Sequence, residues 1–401
     1  MKSILLFSIC LTTQFIGFSQ GLGTYQDFNI NVDNQVRTFK LYTPPGVDAQ
    51  IESPLVMVFH GFSMDVNSIN TLCEFYDAAD TANFYLVYPQ GLPVNDILYG
   101  GGTRSGWAIP NSAGGSQDDV KFVNAIIDTL ETIAQIKILE NQIYAAGFSL
   151  GGEFAYYLGC NLSDRIAAIA AVSSAMIKQQ IDGDCLPVKR ISALQMVGTN
   201  DPFYPFQGNA FFYPFYDNPG FWSSLNDCDA DPEITRLEDK DPTDGSTVDL
   251  GIYQNCSGDL EVLSYRINNG QHAWPGGQDF PAAVVNFDID ASDEIWKFFN
   301  RHTLDEKTTT VLETERDSIN VYPNPFYSHL SISLPSNLNK SISFEWYNSL
   351  GQLLEIGDIA SNIALEKGQI SFSQSYLPGI YYLKIKNGIE VLKTFRLIKV
   401  D

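Results

Sequence analysis

The chain has few basic residues and few histidines. Its 24 lysines and arginines are outnumbered by 47 aspartates and glutamates, which gives the 401 residues a formal net charge of -23. A surface this acidic repels phosphate backbones and anionic lipids, so we expect no nucleic-acid partner and no anionic membrane surface as a partner. The main consequence of the charge is solubility.

Long apolar runs are absent after the N-terminus. Residues 1–20 contain one lysine, an apolar stretch from Ile4 to Phe18, and small residues at positions 17 and 19. These features predict a secretory signal peptide. A transmembrane anchor is the alternative, but the run is short and no comparable span follows, so we predict no transmembrane segment.

A recognisable metal-binding loop is missing as well. The acidic run from Asp227 to Asp249 suggests calcium at first sight. Its residues do not follow the EF-hand spacing, and Leu250 occupies the place where a bidentate glutamate is needed. A solvated loop is the better interpretation.

One motif carries chemistry. Residues 143–152 read IYAAGFSLGG, an apolar run that ends in GxSxG between Gly147 and Gly151. In this motif the serine occupies a strained strand-to-helix turn, which requires small residues two positions before and after it. Ser149 is therefore a candidate nucleophile, and Glu153–Gly159 is the predicted helix after it. An ordinary turn is the alternative, because GxSxG also occurs by chance.

A serine nucleophile needs a base near neutral pH, and the shortage of histidine limits the choice. His302 and His329 lie beyond the predicted catalytic domain. His60 begins an HGF segment after an apolar run, which suits an oxyanion loop better than a general base. His272 follows the strand-like segment Leu260 to Ile267 and comes after the candidate nucleophile. We therefore predict that His272 is the general base.

The acid is expected between these two residues, because α/β-hydrolases place them in the order serine, acid, histidine. Asp201 ends the apolar run ALQMVGTND, and strand ends carry the functional loops of such sheets. Its predicted role is to orient the histidine. Asp182 and Asp184 remain alternatives, although neither follows so clear a strand. The backbone N–H groups of Phe62 and Leu150 are the predicted oxyanion hole.

Residues 21 to about 300 resemble the secreted esterases that include polyhydroxybutyrate depolymerases, feruloyl esterases and acetylxylan esterases. Four segments carry the resemblance: VFHGF at 58–62, GFSLGG at 147–152, GTNDPFYPFQG at 198–208 and GQHAWPGG at 270–277. The resemblance implies an α/β-hydrolase fold and a two-step acyl-enzyme hydrolysis that needs neither metal nor cofactor. An aromatic-rich segment at 209–221 departs from the family pattern and bears on substrate choice.

The resemblance also bears on the cysteines and on substrate contacts. It pairs four of the five cysteines that remain after the signal peptide: Cys160 with Cys185, and Cys228 with Cys256. Cys73 is then unpaired, and export makes disulfides possible. Buried free thiols are the alternative. We expect Trp274 and Phe206 to contact the substrate.

Strand-like runs alternate with helical patterns along the first 300 residues. The runs occupy residues 55–59, 84–88, 143–146, 166–172, 193–197 and 260–267. The clearest helix is Asp119 to Ile133, with Ser116 as its expected cap. Such alternation predicts an α/β fold with a mostly parallel sheet and helices on both faces. Aromatic clusters at 203–206 and 211–216 could line a cleft or form a lid, and core packing is at least as well supported.

The sequence changes in character after residue 303. Residues 304–317 are polar and predict a linker, whereas 318–401 show short alternating strands that predict a small all-β sandwich. The segments VYPNPF, YNSLGQ and LPGIYYLKI resemble the C-terminal sorting domains of type IX secretion cargo. That resemblance implies delivery by the type IX machinery to the outside or the cell surface. A carbohydrate-binding β-sandwich is the alternative.

These features predict a secreted serine esterase whose catalytic domain spans residues 21–303. The expected substrate is a carboxylic ester of a polymeric or polymer-attached compound. A serine peptidase of the same fold and a catalytically inactive binding protein are the alternatives. Ferulate, acetate and hydroxyalkanoate esters all remain candidates, because pocket shape sets the acyl preference.

Overall fold

In the computed structural model the chain forms two compact units, and the boundary between them in the sequence lies between Leu304 and Asp305. In the first unit it describes residues 23–97, 102–185, 187–278 and 283–304. In the second it describes 319–322, 326–327, 330–333, 342–348, 352–362, 367–370, 372, 376–387 and 390–400. The predicted signal peptide and residues 305–317 of the predicted linker lie outside the described residues.

Thirteen strands are found in the described part of the first unit. They are β1 (Thr24–Val32), β2 (Gln35–Thr43), β3 (Ser53–Phe59), β4 (Tyr85–Pro89), β5 (Pro93–Asp96), β6 (Thr103–Ser105), β7 (Ala113–Gly114), β8 (Ile138–Phe148), β9 (Ala168–Val172), β10 (Ser192–Gly198), β11 (Glu233–Arg236), β12 (Thr247–Tyr253) and β13 (Val262–Asn268). Ten form one sheet in the order β1-β2-β4-β3-β8-β9-β10-β13-β12-β11, and β5, β6 and β7 form a separate small sheet.

The six central strands of the large sheet are parallel. They run from β4 through β3, β8, β9 and β10 to β13, and antiparallel strands extend the sheet at both edges. Parallel strands covered on both faces are apolar throughout. In β3, for example, Leu55 and Met57 pack into one core and Val56 and Val58 into the other. The predicted α/β fold is therefore confirmed.

In the described part of the first unit, six α-helices cover the two faces of this sheet. They are α1 (Val66–Cys73), α2 (Tyr76–Ala82), α3 (Asp119–Ala134), α4 (Leu150–Asn161), α5 (Asp217–Leu225) and α6 (Ala291–Phe299). The cap predicted for α3 at Ser116 is wrong. Asp118 directly precedes this helix, and its carboxylate accepts a hydrogen bond from the Lys121 N–H at 3.0 Å, which satisfies one of the free amides of the first turn. Within the described residues no helix is long and apolar enough to cross a membrane.

Two disulfides cross-link the first unit. They join Cys160 with Cys185 and Cys228 with Cys256, the pairing that the family resemblance implies, and Cys73 is a buried free thiol. The first disulfide ties the end of α4 to the segment after a short π-helical turn at Gln180–Asp184. Such cross-links stabilise a fold chiefly by restricting the unfolded chain.

A buried ion pair fixes the N-terminal end of α3. Arg37 Nη2 and Asp119 Oδ1 are 2.5 Å apart, and both side chains are almost completely inaccessible. The second carboxylate oxygen accepts from the Ala108 N–H at 2.7 Å, and the guanidinium lies 3.9 Å from the centre of the Phe122 ring. The pair therefore joins β2, α3 and the loop that carries Ala108.

Breaking this pair should destabilise the fold strongly. We expect Asp119→Ala to lower the free energy of unfolding by about 3–5 kcal/mol, because the Arg37 guanidinium is left buried without a counter-charge. Asp118→Ala is a matched control, since it removes a neighbouring but exposed carboxylate and should cost about 1 kcal/mol. Urea denaturation of both variants measures the difference. Equal losses in the two variants would contradict the prediction.

The second unit is an antiparallel β-sandwich. Its strands are β14 (Asn320–Tyr322), β15 (Leu330–Ser333), β16 (Ile342–Asn348), β17 (Leu353–Asp358), β18 (Ala360–Asn362), β19 (Lys367–Ile370), β20 (Gly379–Asn387) and β21 (Glu390–Lys399). They form two four-stranded sheets, β14-β15-β19-β18 and β17-β16-β20-β21. Residues of both sheets, such as Ile332 and Trp346, share one apolar core.

Candidate active site

Ser149 lies at the turn between β8 and α4. Its backbone has φ 56° and ψ -125°, a conformation that L-residues rarely adopt. The motif glycines allow the close contacts that this turn requires: a Cβ atom at Gly147 would lie 2.1 Å from the Gly151 carbonyl oxygen. The serine N–H donates to the Val172 carbonyl of β9 at 3.0 Å. The sharp turn predicted from GxSxG therefore stands at the carboxyl edge of the parallel sheet.

The N-terminus of α4 starts directly after this serine. The Ser149 carbonyl accepts from the N–H groups of Gly152 and Glu153 at 2.9 and 3.0 Å. The Leu150 N–H belongs to the first helical residue, and such amides have no partner within their own helix. Together with the helix dipole, this amide favours negative charge near the serine.

The HGF segment lies beside Ser149. It follows β3, whose last residue is Phe59. A Cβ atom at Gly61 would lie 3.2 Å from the Ser149 Cβ, so only glycine fits this approach without displacement. The Gly61 carbonyl accepts from the Met64 N–H at 3.2 Å, which closes a tight turn. This turn places the Phe62 N–H in the loop that faces the serine.

His60 stabilises this loop through hydrogen bonds of both its ring nitrogens. Its Nδ1 lies 2.8 Å from the Gly61 carbonyl oxygen, and its Nε2 lies 2.9 Å from the Gly91 N–H. A carbonyl only accepts, so Nδ1 carries the proton and Nε2 accepts from Gly91. Burial lowers the pKa of His60 to about 4, so the ring is neutral at pH 7. His60 thus fixes the Gly61–Phe62 peptide and is unsuited to act as a base.

Neutral His60 predicts an acid-sensitive stability. The unfolded chain protonates this histidine near its ordinary pKa of 6.5, whereas the folded protein does so only near 4. The unfolded state therefore binds more protons between these values, and the stabilisation is lost as the pH falls. Between pH 7 and pH 4, we expect the unfolding free energy of the wild type to fall by about 3 kcal/mol relative to His60→Gln. Urea denaturation at both pH values measures this, and a pH-independent difference would contradict it.

Asp201 and His272 form a direct hydrogen bond. Asp201 Oδ2 lies 2.8 Å from His272 Nδ1, and both side chains are buried. Asp201 Oδ1 accepts from the backbone N–H groups of Phe203 and Tyr204 at 2.8 and 3.0 Å. A carboxylate held by two amides presents its other oxygen in a fixed direction. It therefore sets the tautomer of His272, with the proton on Nδ1 and the lone pair on Nε2.

The loops that carry these two residues follow β10 and β13. Neighbouring parallel strands end at the same edge of the sheet, and the two loops are cross-linked by the Asn200 N–H, which donates to the Gly270 carbonyl at 2.9 Å. Ser173, at the end of β9, supports the histidine loop: its hydroxyl donates to the Ala273 carbonyl at 2.7 Å. The sequence reasoning did not identify Ser173, because nothing in its local pattern points to a loop 100 residues away.

Three aromatic rings surround the His272 imidazole. Phe148 and Phe203 lie with their ring centres 4.8 Å from that of the imidazole, and Tyr204 is nearly parallel to it at 6.0 Å. Phe148 directly precedes Ser149, so this contact joins the turn at Ser149 to the histidine. Phe203 is 45% exposed and reaches solvent beside the imidazole. The sequence predicts Phe203 and Tyr204 only as members of an aromatic cluster, and Phe148 only as a residue of the GxSxG motif.

The sequence predicts Trp274 and Phe206 as substrate contacts, and the structure places these two residues in different surroundings. Trp274 is wrong as a substrate contact: its side chain is completely buried, and its indole N–H donates to Ser292 Oγ at 3.1 Å. It belongs to the core beneath the histidine loop. Phe206 is half-buried and stacks on Phe215 at 4.9 Å. It remains a prediction without a described contact to the serine, aspartate or histidine.

The structure also describes Asp182, which is one of the two alternative acids, and the acidic run that suggests a metal site. Asp182 is exposed and accepts from the Tyr213 hydroxyl at 2.8 Å. Among the described residues, no group of three His, Cys, Asp or Glu side chains could hold a metal ion. Asp249, at the end of the acidic run, pairs with Arg236 and with Arg266. The acidic run, which the sequence predicts to be a solvated loop, therefore contains β11 and the start of β12 as well as loop residues.

Comparison with known proteins gives two family matches and several relatives. Feruloyl esterase B of Piromyces equi is 32% identical over 171 residues, which are 40% of this chain and 30% of that protein. A probable feruloyl esterase C of Aspergillus terreus is 28% identical over 297 residues, 72% of this chain and 93% of that protein. A solved acetyl xylan esterase from Aspergillus awamori is 12% identical with a TM-score of 0.46, covering 70% of this chain and 100% of that one.

The family matches divide the chain as the structure does. Residues 320–399 match the secretion system C-terminal sorting domain, which implies type IX secretion to the outside or the cell surface. Residues 48–229 match the phospholipase/carboxylesterase family. These residues include the nucleophile turn and the Asp201 loop. The first unit therefore contains a segment similar to the phospholipase/carboxylesterase family, which supports a carboxylic ester hydrolase, and the second unit matches a secretion sorting domain.

Proposed function

We propose that the protein is a secreted serine esterase in which Ser149, His272 and Asp201 form the catalytic triad. The observation that carries the proposal is their common position. A strained serine at the end of β8 and a hydrogen-bonded His272–Asp201 pair after β13 and β10 occupy the same edge of one parallel sheet. Convergence of a nucleophile, a base and an orienting acid is the signature of acyl transfer.

The reaction would proceed in two steps through an acyl-enzyme. Ser149 Oγ attacks the ester carbonyl carbon while His272 Nε2 takes its proton. The carbonyl oxygen becomes an oxyanion, which accepts from the Phe62 and Leu150 N–H groups. His272 then returns the proton to the alkoxide leaving group, which departs as an alcohol. A water molecule, deprotonated by His272, attacks the acyl-enzyme and releases the carboxylic acid and free Ser149.

The surroundings of His272 favour an ester with an aromatic part or a polymer chain. Phe203 is 45% exposed and contacts the imidazole. An exposed aromatic ring beside the proposed catalytic histidine provides a stacking surface for a planar acyl group or for a sugar face. Two relatives described above are named feruloyl esterases. We propose a hydroxycinnamoyl ester attached to a polysaccharide as the preferred substrate, ahead of acetyl esters and hydroxyalkanoate polyesters.

The experiment compares substrates and traps the nucleophile. Initial rates of the full chain are measured on methyl ferulate, p-nitrophenyl acetate, acetylated xylan, polyhydroxybutyrate and a peptide amide. In parallel, the protein is treated with a fluorophosphonate probe, and the labelled peptide is identified by mass spectrometry. Preference for methyl ferulate with label on Ser149 is the expected result. Turnover of the peptide alone, or an unlabelled Ser149, would refute the esterase assignment.

A further inference from the structure

A buried carboxyl group lies one helical turn beyond Ser149. Glu153 belongs to the first turn of α4, and its side chain is completely inaccessible to solvent. Burial raises its pKa to about 7, against the opposing effects of hydrogen bonds from Ser112 and Tyr204. Charged residues are almost never fully buried without a specific partner, because the ionised form loses its hydration. The catalytic steps described above do not use this group.

The carboxyl group of Glu153 reaches the loop that carries Asp201. Its Oε2 accepts a hydrogen bond from the Tyr204 hydroxyl at 3.2 Å. Asp96, which lies in β5 of the small sheet, also raises the pKa of Glu153 by charge repulsion. Its second oxygen has no hydrogen bond of regular geometry within the described part of the chain. Of the two hydroxyl groups that lower its pKa, those of Ser112 and Tyr204, the tyrosine hydroxyl belongs to the loop that carries Asp201.

Tyr204 contacts both members of the acid–base pair. Its backbone N–H donates to Asp201 Oδ1 at 3.0 Å, and its ring lies at 13° to the His272 imidazole. The ring also packs on Phe212, with ring centres 4.9 Å apart. Tyr204 is 5% exposed, so these contacts leave it little freedom. One residue thus connects Glu153 with Asp201 and His272, through its hydroxyl, its backbone N–H and its ring.

We propose that Glu153 is a positioning residue, which acts through the Tyr204 hydroxyl to hold Asp201 and His272 at a fixed distance from Ser149. The inference rests on the proposed function, because it concerns the same triad. Helix α4 carries the nucleophile at its N-terminus, whereas the acid and the base lie on loops after other strands. The Glu153–Tyr204 hydrogen bond therefore links the two halves of the site. A displacement of about 1 Å between reacting groups can cost about 100-fold in rate.

The test uses the full chain and the ester that it hydrolyses fastest. Tyr204→Phe removes only the hydroxyl, and we expect kcat to fall about 10-fold while KM stays within about 2-fold. Glu153→Leu removes the acceptor at similar volume and should give the same loss. Glu153→Gln keeps an oxygen that accepts from the hydroxyl, so it should restore kcat to within about 3-fold of the wild type.

Coupling between the two positions distinguishes this role from a general structural one. If the hydrogen bond is the link, the double variant Tyr204→Phe with Glu153→Leu should be no slower than either single variant. Tyr156→Phe is a matched control, because Tyr156 is a buried tyrosine of α4 whose hydroxyl has no partner among the described residues. It should keep the kcat of the wild type.

Two results would overturn the inference. One is a Tyr204→Phe variant with the kcat of the wild type; the other is a double variant whose loss is the product of the two single losses. If Glu153→Leu does not fold, the comparison of Tyr204→Phe with Tyr156→Phe decides. A wild type without Ser149-dependent ester hydrolysis overturns the proposed function as well. An active wild type with an unaffected Tyr204→Phe variant overturns only this inference.

Discussion

Replacing Ser149 by alanine should lower kcat for ester hydrolysis by about 10⁴-fold or more, with little change in KM. In the proposed mechanism the reaction then loses its nucleophile, and the proposed oxyanion donors, the N–H groups of Phe62 and Leu150, can only assist attack by water. Initial rates of the purified variant on methyl ferulate and p-nitrophenyl acetate provide the measurement. The variant should stay folded, because alanine carries a Cβ like serine and meets the same backbone strain at φ 56°.

A nearby serine provides the control for this substitution. Ser174 is completely buried, and its hydroxyl has no hydrogen-bond partner among the described residues. It also lies close to the nucleophile turn, since a Cβ at Gly152 would be 2.7 Å from the Ser174 Cβ. Ser174→Ala should keep kcat within about 2-fold, as expected for a group outside the reacting atoms. Similar losses in both variants would mean that packing of the turn, and not the Ser149 hydroxyl, limits the rate.

Much of the fold could be predicted because local patterns and sheet geometry agree. The apolar runs that precede His60, Ser149 and Asp201 are the parallel strands β3, β8 and β10, and parallel strands end at one edge of a sheet. Chain order then restricted the acid to the region between the serine and the histidine. The structure places Asp201 in contact with His272, while the catalytic roles of both residues stay predictions.

The errors concern the direction in which side chains point. Trp274 follows the histidine in a family motif, but a loop residue has no periodicity that tells its buried side from its exposed side. Its contact with Ser292 joins segments 18 residues apart. Phe203 could not be separated from the other aromatics of its segment for the same reason. A loop direction is set by packing against distant elements, which a local pattern does not contain.

No local pattern in the sequence predicts the contact between Glu153 and Tyr204, for a related reason. An acidic residue in the first turn of a helix is ordinarily explained by the helix dipole and by solvent exposure. Helix α4 lies against the sheet and beneath the Asp201 loop, so nearly all of its residues are buried, including this one. Its partner Tyr204 lies 51 residues later in the chain. Only the folded arrangement shows that the two side chains meet.

The second large effect is expected for Asp201→Asn, which should lower kcat by about 10³- to 10⁴-fold at neutral pH. The geometry gives the reason. Asp201 Oδ1 accepts from two backbone N–H groups, those of Phe203 and Tyr204, so the amide oxygen of the asparagine must occupy that position. The NH₂ group then faces His272 Nδ1 in place of the carboxylate oxygen.

This exchange reverses the tautomer of the histidine. An NH₂ group donates, so Nδ1 must become the acceptor and the proton moves to Nε2, where it blocks uptake of the Ser149 proton. Asp182→Asn is the matched control, because it makes the same change in one of the two alternative acids, which is exposed and accepts a hydrogen bond from Tyr213. Its kcat should equal that of the wild type. A large loss in Asp182→Asn together with an active Asp201→Asn would contradict the prediction and assign the acid of the triad to residue 182.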